Sequence, residues 1–251
     1  MVFYKNALGG TCPAAFIRNG SRCDMYKKIN ILDICVDNYS VRESLLRLDT
    51  FMSNTVLNII ETVTMEKLVS AGEYPVIKEC LEQADLCIIG EREILSETGN
   101  DTAQRVREVC GQDFLRELLK RVVRSKKRVF LLAMTKAETE DMQETFREFV
   151  PRFAAAASCA IEECSSDMEA IVNEINGATP DVVISGLPTP LEEEFIQMHK
   201  DKIGAGVWYG AGICSYPKGR ARVGSTLRKL LLKGRLRHSV ARYQNENKDR
   251  N

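Results

Sequence analysis

Residues 181–200 read "DVVISGLPTPLEEEFIQMHK". An apolar run stops at Gly186, two prolines follow, and a helical pattern opens with Glu192, Glu193 and Glu194 in its first turn. A short, almost wholly apolar strand that turns directly into a helix is one half of a βαβ unit. The same grammar repeats along the chain. Strand-like runs lie at 29–36, 57–64, 84–90, 127–134, 181–187 and 204–210, with a weaker, Ala-rich run at 153–161. Helical patterns lie between them at 41–52, 65–71, 75–84, 114–125, 138–149, 166–175 and 191–202. Strands that are apolar throughout are buried on both faces, so the reading is α/β: a Rossmann-like parallel sheet with helices on both sides.

The chain has 251 residues, enough for one such domain. Formal net charge is zero, which argues against a nucleic-acid binder. The charge is unevenly placed, however. Residues 218–251 hold eleven basic and two acidic residues, leaving 24 basic and 33 acidic residues for 1–217. The division expected is therefore an irregular leader over 1–28, an α/β domain over 29–217 and a basic tail over 218–251. The tail carries Leu227, Leu230, Leu231 and Leu232 among its basic residues. That pattern reads equally as an amphipathic helix on an anionic membrane surface or as a solvated terminus. It lacks the interleaved aromatics of an RNA-binding segment.

Nine cysteines occur without a C-x-x-C pair, and several sit inside apolar runs. They read as reduced, buried thiols of a cytoplasmic protein. With only His199 and His238 present, a zinc site is not expected. No run approaches the roughly 20 apolar residues of a membrane span, and the first 28 residues hold no signal-type apolar segment.

In an open parallel sheet, ligands bind beyond the carboxyl ends of the strands. Thr62 and Thr64 close one strand. Thr64 reads first as a helix N-cap, and both hydroxyls are candidate donors to a sugar or nucleotide. Gly90 and Glu91 close the next, where glycine permits close backbone approach. Asp113, after Gly111, also reads as an N-cap. Gly210 and Gly212 follow the last strand, but the dinucleotide fingerprint, the phosphate-binding P-loop and a D-x-D metal pair are all absent. Consecutive glutamates at 192–194 repel anions, so a ligand there would present hydroxyls or an amide edge rather than a diphosphate. The missing glycine fingerprint disfavours a nicotinamide-dependent oxidoreductase.

These strand ends resemble, in order and spacing, the WecG/TagA/CpsF glycosyltransferases, over about residues 29–216. "TVTMEKLVSA" (62–71) is similar to the family's T-x-N-x-E-x-x-x-x-A, and "CLEQADLCIIGE" (80–91) to its segment ending P-D-G. "VCGQDFLRELL" (109–119) is similar to R-V-x-G-x-D-l, and "RVFLLAMTKAE" (128–138) to r-v-f-l-l-G-g. "PDVVISGLPTPLEEEFI" (180–196) resembles P-D-i-l-x-v-G-l-G-x-P-k-Q-E, and "GVWYGAGICSY" (206–216) resembles v-x-i-G-V-G-x-x-F-D. The resemblance implies an inverting, metal-independent transfer without a cofactor. A hexosamine such as N-acetylmannosamine would pass from a UDP-sugar donor to a polyprenyl-diphosphate-linked sugar in cell-surface polysaccharide synthesis, teichoic acid among them. It also implies a cytoplasmic protein, peripheral on the inner face of the membrane and touching it through a basic appendage. Whether a homo-oligomer forms stays open.

The family pattern is kept at Thr62, Glu66, Gly111, Asp113, Gly186, Pro190 and Glu193 and changed elsewhere in the cleft. The aspartate implied as general base falls on Gly90, the asparagine on Thr64, the arginine before V-x-G on Glu108 and the glutamine on Glu192; the late F-D is Ser215-Tyr216. Glycine cannot accept a proton. Two expectations follow. In the first, Glu91 replaces the base with Thr62 beside it. Thr64, Glu66, Gly90, Gly111, Asp113, Gly186, Pro190, Glu192, Glu193, Gly210 and Gly212 then form the substrate site, and Arg235, Arg237 and Arg242 neutralise the leaving diphosphate. In the second, the chain is a catalytically degenerate relative that binds a sugar nucleotide or scaffolds a glycan-synthesis complex.

Overall fold

A computed structural model of the chain describes residues 27–164, 168–212, 232–236 and 238–241. Six strands form one parallel sheet: β3 (Asn58–Val63), β4 (Leu86–Ile89), β5 (Val129–Ala133), β6 (Ala157–Ala160), β7 (Val182–Ser185) and β8 (Val207–Gly210). Their order is β4-β3-β8-β7-β5-β6, and every neighbouring pair runs parallel. The Rossmann-like α/β reading is thus what the chain builds, and the Ala-rich run is a strand.

The run at 29–36 is a correction. It is not a strand of the main sheet but a hairpin, β1 (Lys28–Ile31) paired antiparallel with β2 (Ile34–Asp37). Leu32 and Asp33 take φ of 53° and 63°, the two positive values that a tight two-residue turn between twisted strands needs. The Asp33 amide donates to Asn30 Oδ1 at 3.1 Å, which holds the turn despite the absence of glycine.

Nine helices cover the sheet between residues 41 and 199: α1 (Val41–Phe51), α2 (Met65–Ser70), α3 (Pro75–Gln83), α4 (Arg92–Glu97), α5 (Ala103–Cys110), α6 (Asp113–Arg124), α7 (Lys136–Phe149), α8 (Met168–Ala178) and α9 (Leu191–His199), and residues 232–236 and 238–241 are helical as well. Helices α4 and α5 add to those expected. Both are short, and α5 buries no residue fully, so its apolar periodicity is faint.

The strands alternate between two cores. Leu131, Ile184 and Tyr209 point to the face covered by α1, α6 and α7, against Leu48, Leu118 and Phe146. Phe130, Val183 and Trp208 point to the other face, against Ile171, Phe195 and Ile196 of α8 and α9. Each such side chain stabilises the fold by about 1.5–3 kcal/mol on full burial. This explains how a continuous apolar run keeps the two-residue strand period. A third core joins the hairpin, α2, α3 and α4, and it includes Leu236, which is fully buried. Part of the segment expected as tail therefore packs on the body. Cys80, Cys87, Cys110, Cys159 and Cys164 are free, whereas Cys35 is disulfide-bonded, so the all-reduced reading does not hold at that position.

From β3 the chain moves to the edge strand β4; from β5 onward it builds on the opposite side. Connections that diverge in this way leave a crevice at the carboxyl ends of the strands between them.

Candidate functional site

A cleft of about 540 Å³, part of it open to solvent, lies in that crevice. Thr62 of β3, Ile88 and Ile89 of β4, Gly90 and Tyr209 of β8 form its floor. Tyr39, Val41 and Ser44 at the start of α1, Arg105 and Glu108 of α5, and Gln112 and Asp113 at the start of α6 complete it. Of the residues expected in the site, Thr62, Gly90 and Asp113 meet here.

Thr62 Oγ1 donates to the Tyr209 hydroxyl at 3.2 Å. Burial pushes that phenol up to about 12, which keeps it protonated at neutral pH. The Gly90 amide donates to the Val63 carbonyl at 2.9 Å. A Cβ at position 90 would stand 2.5 Å from Thr62 Cγ2 and 3.2 Å from the Val63 oxygen, so the Thr62 methyl already fills the start of any side chain there. Glu108 accepts from Arg105 Nη1 at 2.7 Å, from Gln104 at 3.0 Å and from the Val41 amide at 3.2 Å. Burial alone would raise Glu108; these donors outweigh it and hold the carboxyl below its ordinary value. The ion pair lies within α5. Arg105 Nε, buried, has no hydrogen-bond partner among the described residues.

Asp113 is the first residue of α6 rather than its N-cap. Gln112 holds the cap position with a left-handed backbone. Gly111 ends α5, and a Cβ on it would come within 2.5 Å of Asp113 Oδ1, so the glycine leaves room for that carboxylate to fold back.

Other candidates go elsewhere. Glu91 Oε2 accepts from the Met65 amide at 2.7 Å, at the start of α2, and Glu91 is not part of the cleft lining. Thr64 is the N-cap of α2, accepting from the Lys67 amide at 3.2 Å. Glu66 is half-buried in the first turn of the same helix. The Gly186 amide joins the sheet through the Leu132 carbonyl, and Pro190, after a cis peptide bond, stands at the start of α9. Gly212 takes φ +65°. Arg235 pairs with Glu73 in the α2–α3 connection at 3.0 Å, an exposed contact away from the cleft. Arg237 and Arg242, like Ser215 and Tyr216, lie outside the described residues.

Glu192 and Glu193 do not face the cleft. Both are fully buried, and what they face is Lys67 of α2, itself buried, together with Glu61 of β3. Lys67 Nζ donates to Glu61 Oε2 at 2.5 Å and to Glu192 Oε2 at 3.0 Å. It lies 3.0 Å from Glu193 Oε1, an ion pair without a hydrogen bond. Thr189 Oγ1 supplies Glu193 Oε2 at 2.8 Å. The three carboxylates lie within 4.8 Å of one another, close enough to share a metal ion, and the Lys67 ammonium supplies the positive charge among them. Burial by itself would lower Lys67, but Glu192, Glu61 and Glu193 together raise it well above its ordinary value. Burial pushes Glu61 up to about 8 against the attraction of Lys67, and raises Glu192 as well. Gly210 belongs to this cluster: a Cβ there would stand 2.7 Å from Glu61 Oε2 and 3.0 Å from Glu192 Oε1. Sequence reasoning missed Glu61 and Lys67. The signal was a glutamate inside the apolar run "LNIIETV", where a buried charge demands a partner.

Comparison with known proteins bears on this site. The family model for "Glycosyl transferase WecG/TagA/CpsF family" matches residues 29–215. Two similar curated proteins are the N-acetylglucosaminyldiphosphoundecaprenol N-acetyl-beta-D-mannosaminyltransferases of Staphylococcus aureus strains NCTC 8325 / PS 47 and MRSA252. Each is 23% identical over 187 residues, covering 74% of this chain and 73% of the relative. Among the described residues, no helix is long and apolar enough to cross a membrane.

Proposed function

The chain belongs to the WecG/TagA/CpsF glycosyltransferase family, and from that premise we propose that it transfers a hexosamine from a UDP-sugar to a lipid-diphosphate-linked sugar in cell-surface polysaccharide synthesis. The observation that carries this reading is the cleft: three residues retained or altered in the family pattern, Thr62, Gly90 and Asp113, converge on one opening at the carboxyl edge of the sheet. Its polar groups are the hydroxyls of Tyr39, Ser44, Thr62 and Tyr209, the Gln112 amide, the paired Arg105 and Glu108, and the Asp113 carboxylate, a set that suits sugar and ribose hydroxyls. The acceptor would carry N-acetylglucosamine on its diphosphate, by analogy with the relatives' names. A membrane-borne acceptor would bring the protein to the inner membrane surface, with the basic C-terminal segment serving lipid headgroups and the diphosphate. No metal or cofactor enters this scheme.

The test is a thermal-shift screen against nucleotide sugars, followed by UDP release with the stabilising donor and a lipid-diphosphate acceptor. A ligand that binds only the native state raises its apparent stability. Stabilisation by a UDP-hexosamine together with acceptor-dependent UDP release supports transfer; no shift with any nucleotide sugar would sink it.

A second reading, a relative that binds the sugar nucleotide without turning it over, is favoured by one contact. The Thr62 methyl fills the space where the family's aspartate would begin. Calorimetric binding of UDP-hexosamine with no UDP release would establish this reading in place of transfer.

A further inference from the structure

Among the described residues, two carboxylates line the cleft, Glu108 and Asp113. Glu108 is committed to Arg105, Gln104 and the Val41 amide. Glu91, the sequence candidate for a base, is committed to the Met65 amide at the start of α2. Asp113 differs from both. Its carboxylate makes no hydrogen bond or ion pair with any described residue. Gln112 holds the N-cap position of α6, so the Asp113 carboxylate does not serve as the cap. Gly111 is bare beneath it, so its carboxylate turns back over the α5–α6 junction.

We infer that Asp113 is the base that deprotonates the acceptor hydroxyl, the role left open where Gly90 replaces an acid. The inference rests on the transfer reading and names the group that drives it. The acceptor oxygen forms a bond to the anomeric carbon as the bond from that carbon to the β-phosphate oxygen breaks. The electron pair leaves with UDP, and the hydroxyl proton passes to an Asp113 carboxylate oxygen and then to water. Thr62, held by Tyr209 across the cleft floor, is available to orient the reacting hydroxyl. Gly111 is then a positioning residue, since a methyl there would displace the carboxylate.

The experiment compares wild type, Asp113→Asn and Glu91→Gln in full-length protein. UDP release is followed with UDP-N-acetylmannosamine and a lipid-diphosphate-linked N-acetylglucosamine, across pH, with UDP affinity measured by calorimetry. The expected result is a 10²–10⁴-fold fall in kcat for Asp113→Asn, with UDP affinity retained and the acidic limb of the pH–rate profile gone. If Asp113→Asn turns over like wild type, or if Glu91→Gln and not Asp113→Asn removes that limb, the inference is overturned while transfer stands. Loss of UDP binding in Asp113→Asn also overturns it, by making Asp113 a donor ligand. A wild type that binds UDP without turnover overturns the transfer reading and the base with it. Should Asp113→Asn fail to fold, Asp113→Glu serves: a reduced kcat with the acidic limb kept supports the assignment, and an unchanged kcat opposes it.

Discussion

Lys67 and Glu192 stand 125 residues apart in the chain and 3.0 Å apart in the fold, with the lysine 3% and the glutamate 0% exposed at the side chain. The contact ties α2 to α9, and Glu61 joins it from β3. Removing the ammonium would leave three buried carboxyl groups with no cation. Breaking a buried pair from one side costs about 3–5 kcal/mol. Lys67→Met, which keeps the length and apolar stem, is therefore expected to lose that much stability in urea unfolding. A loss under about 1 kcal/mol would show that the cluster contributes no more than a surface pair.

The same cluster makes stability depend on pH. Burial, with the neighbouring Glu192 and Glu193, outweighs Lys67 and pushes Glu61 up to about 8, from an unfolded value in the ordinary carboxylate range. Between those values the folded chain holds a proton that the unfolded chain has released. That contribution is fully present below the unfolded value and is lost as pH rises through about 8. Glu192 is displaced in the same direction. One proton corresponds to at most about 1.4 kcal/mol per pH unit. The unfolding midpoint should decline from weakly acidic pH toward pH 8, and Glu61→Gln should flatten the decline. A midpoint that climbs over that interval contradicts the assignment.

The sheet was legible because each strand is a short apolar run closed by Gly, Pro or a polar turn, a pattern set by local sequence. The hairpin at 28–37 was not, because nothing in "INILDICV" announces that Leu32 and Asp33 take positive φ. Thr62 and Gly90 could be read as cleft residues because strand ends in a parallel sheet converge on one edge, whereas Asp113, at a helix start, was reached through the family resemblance. The fate of Glu192 and Glu193 could not be read. A glutamate in a first helical turn has a sufficient local explanation, and its true partner lies on a distant helix. Lys67 likewise reads as a surface charge on α2 until the fold turns it inward.

The altered acid position carries its own prediction. A side chain at residue 90 begins 2.5 Å from Thr62 Cγ2. Gly90→Asp, which introduces the acid that the family resemblance implies there, is expected to destabilise by about 1–3 kcal/mol through overpacking and to impair the cleft. Thr62→Ser removes the methyl and keeps the hydroxyl bonded to Tyr209. The pair Thr62→Ser with Gly90→Asp should recover most of the loss, with a coupling of about 0.5–3 kcal/mol in a double-mutant cycle. Additive losses would show that the two positions do not exclude each other.

Leu236 tests where the folded body ends. It is fully buried among Ile31, Ile34, Ile77 and Leu81, although it lies in the basic segment that composition sets apart. Its neighbour Arg235 is exposed and pairs with an exposed Glu73. If the segment only rested on a lipid surface, both substitutions would be equally silent in detergent-free solution. If it is part of the third core, they separate. Leu236→Ala should cost about 2–5 kcal/mol, the range for truncating a buried leucine. Arg235→Ala should cost no more than about 1 kcal/mol, as an exposed ion pair does. Equal effects of the two variants on the thermal midpoint would detach this segment from the core.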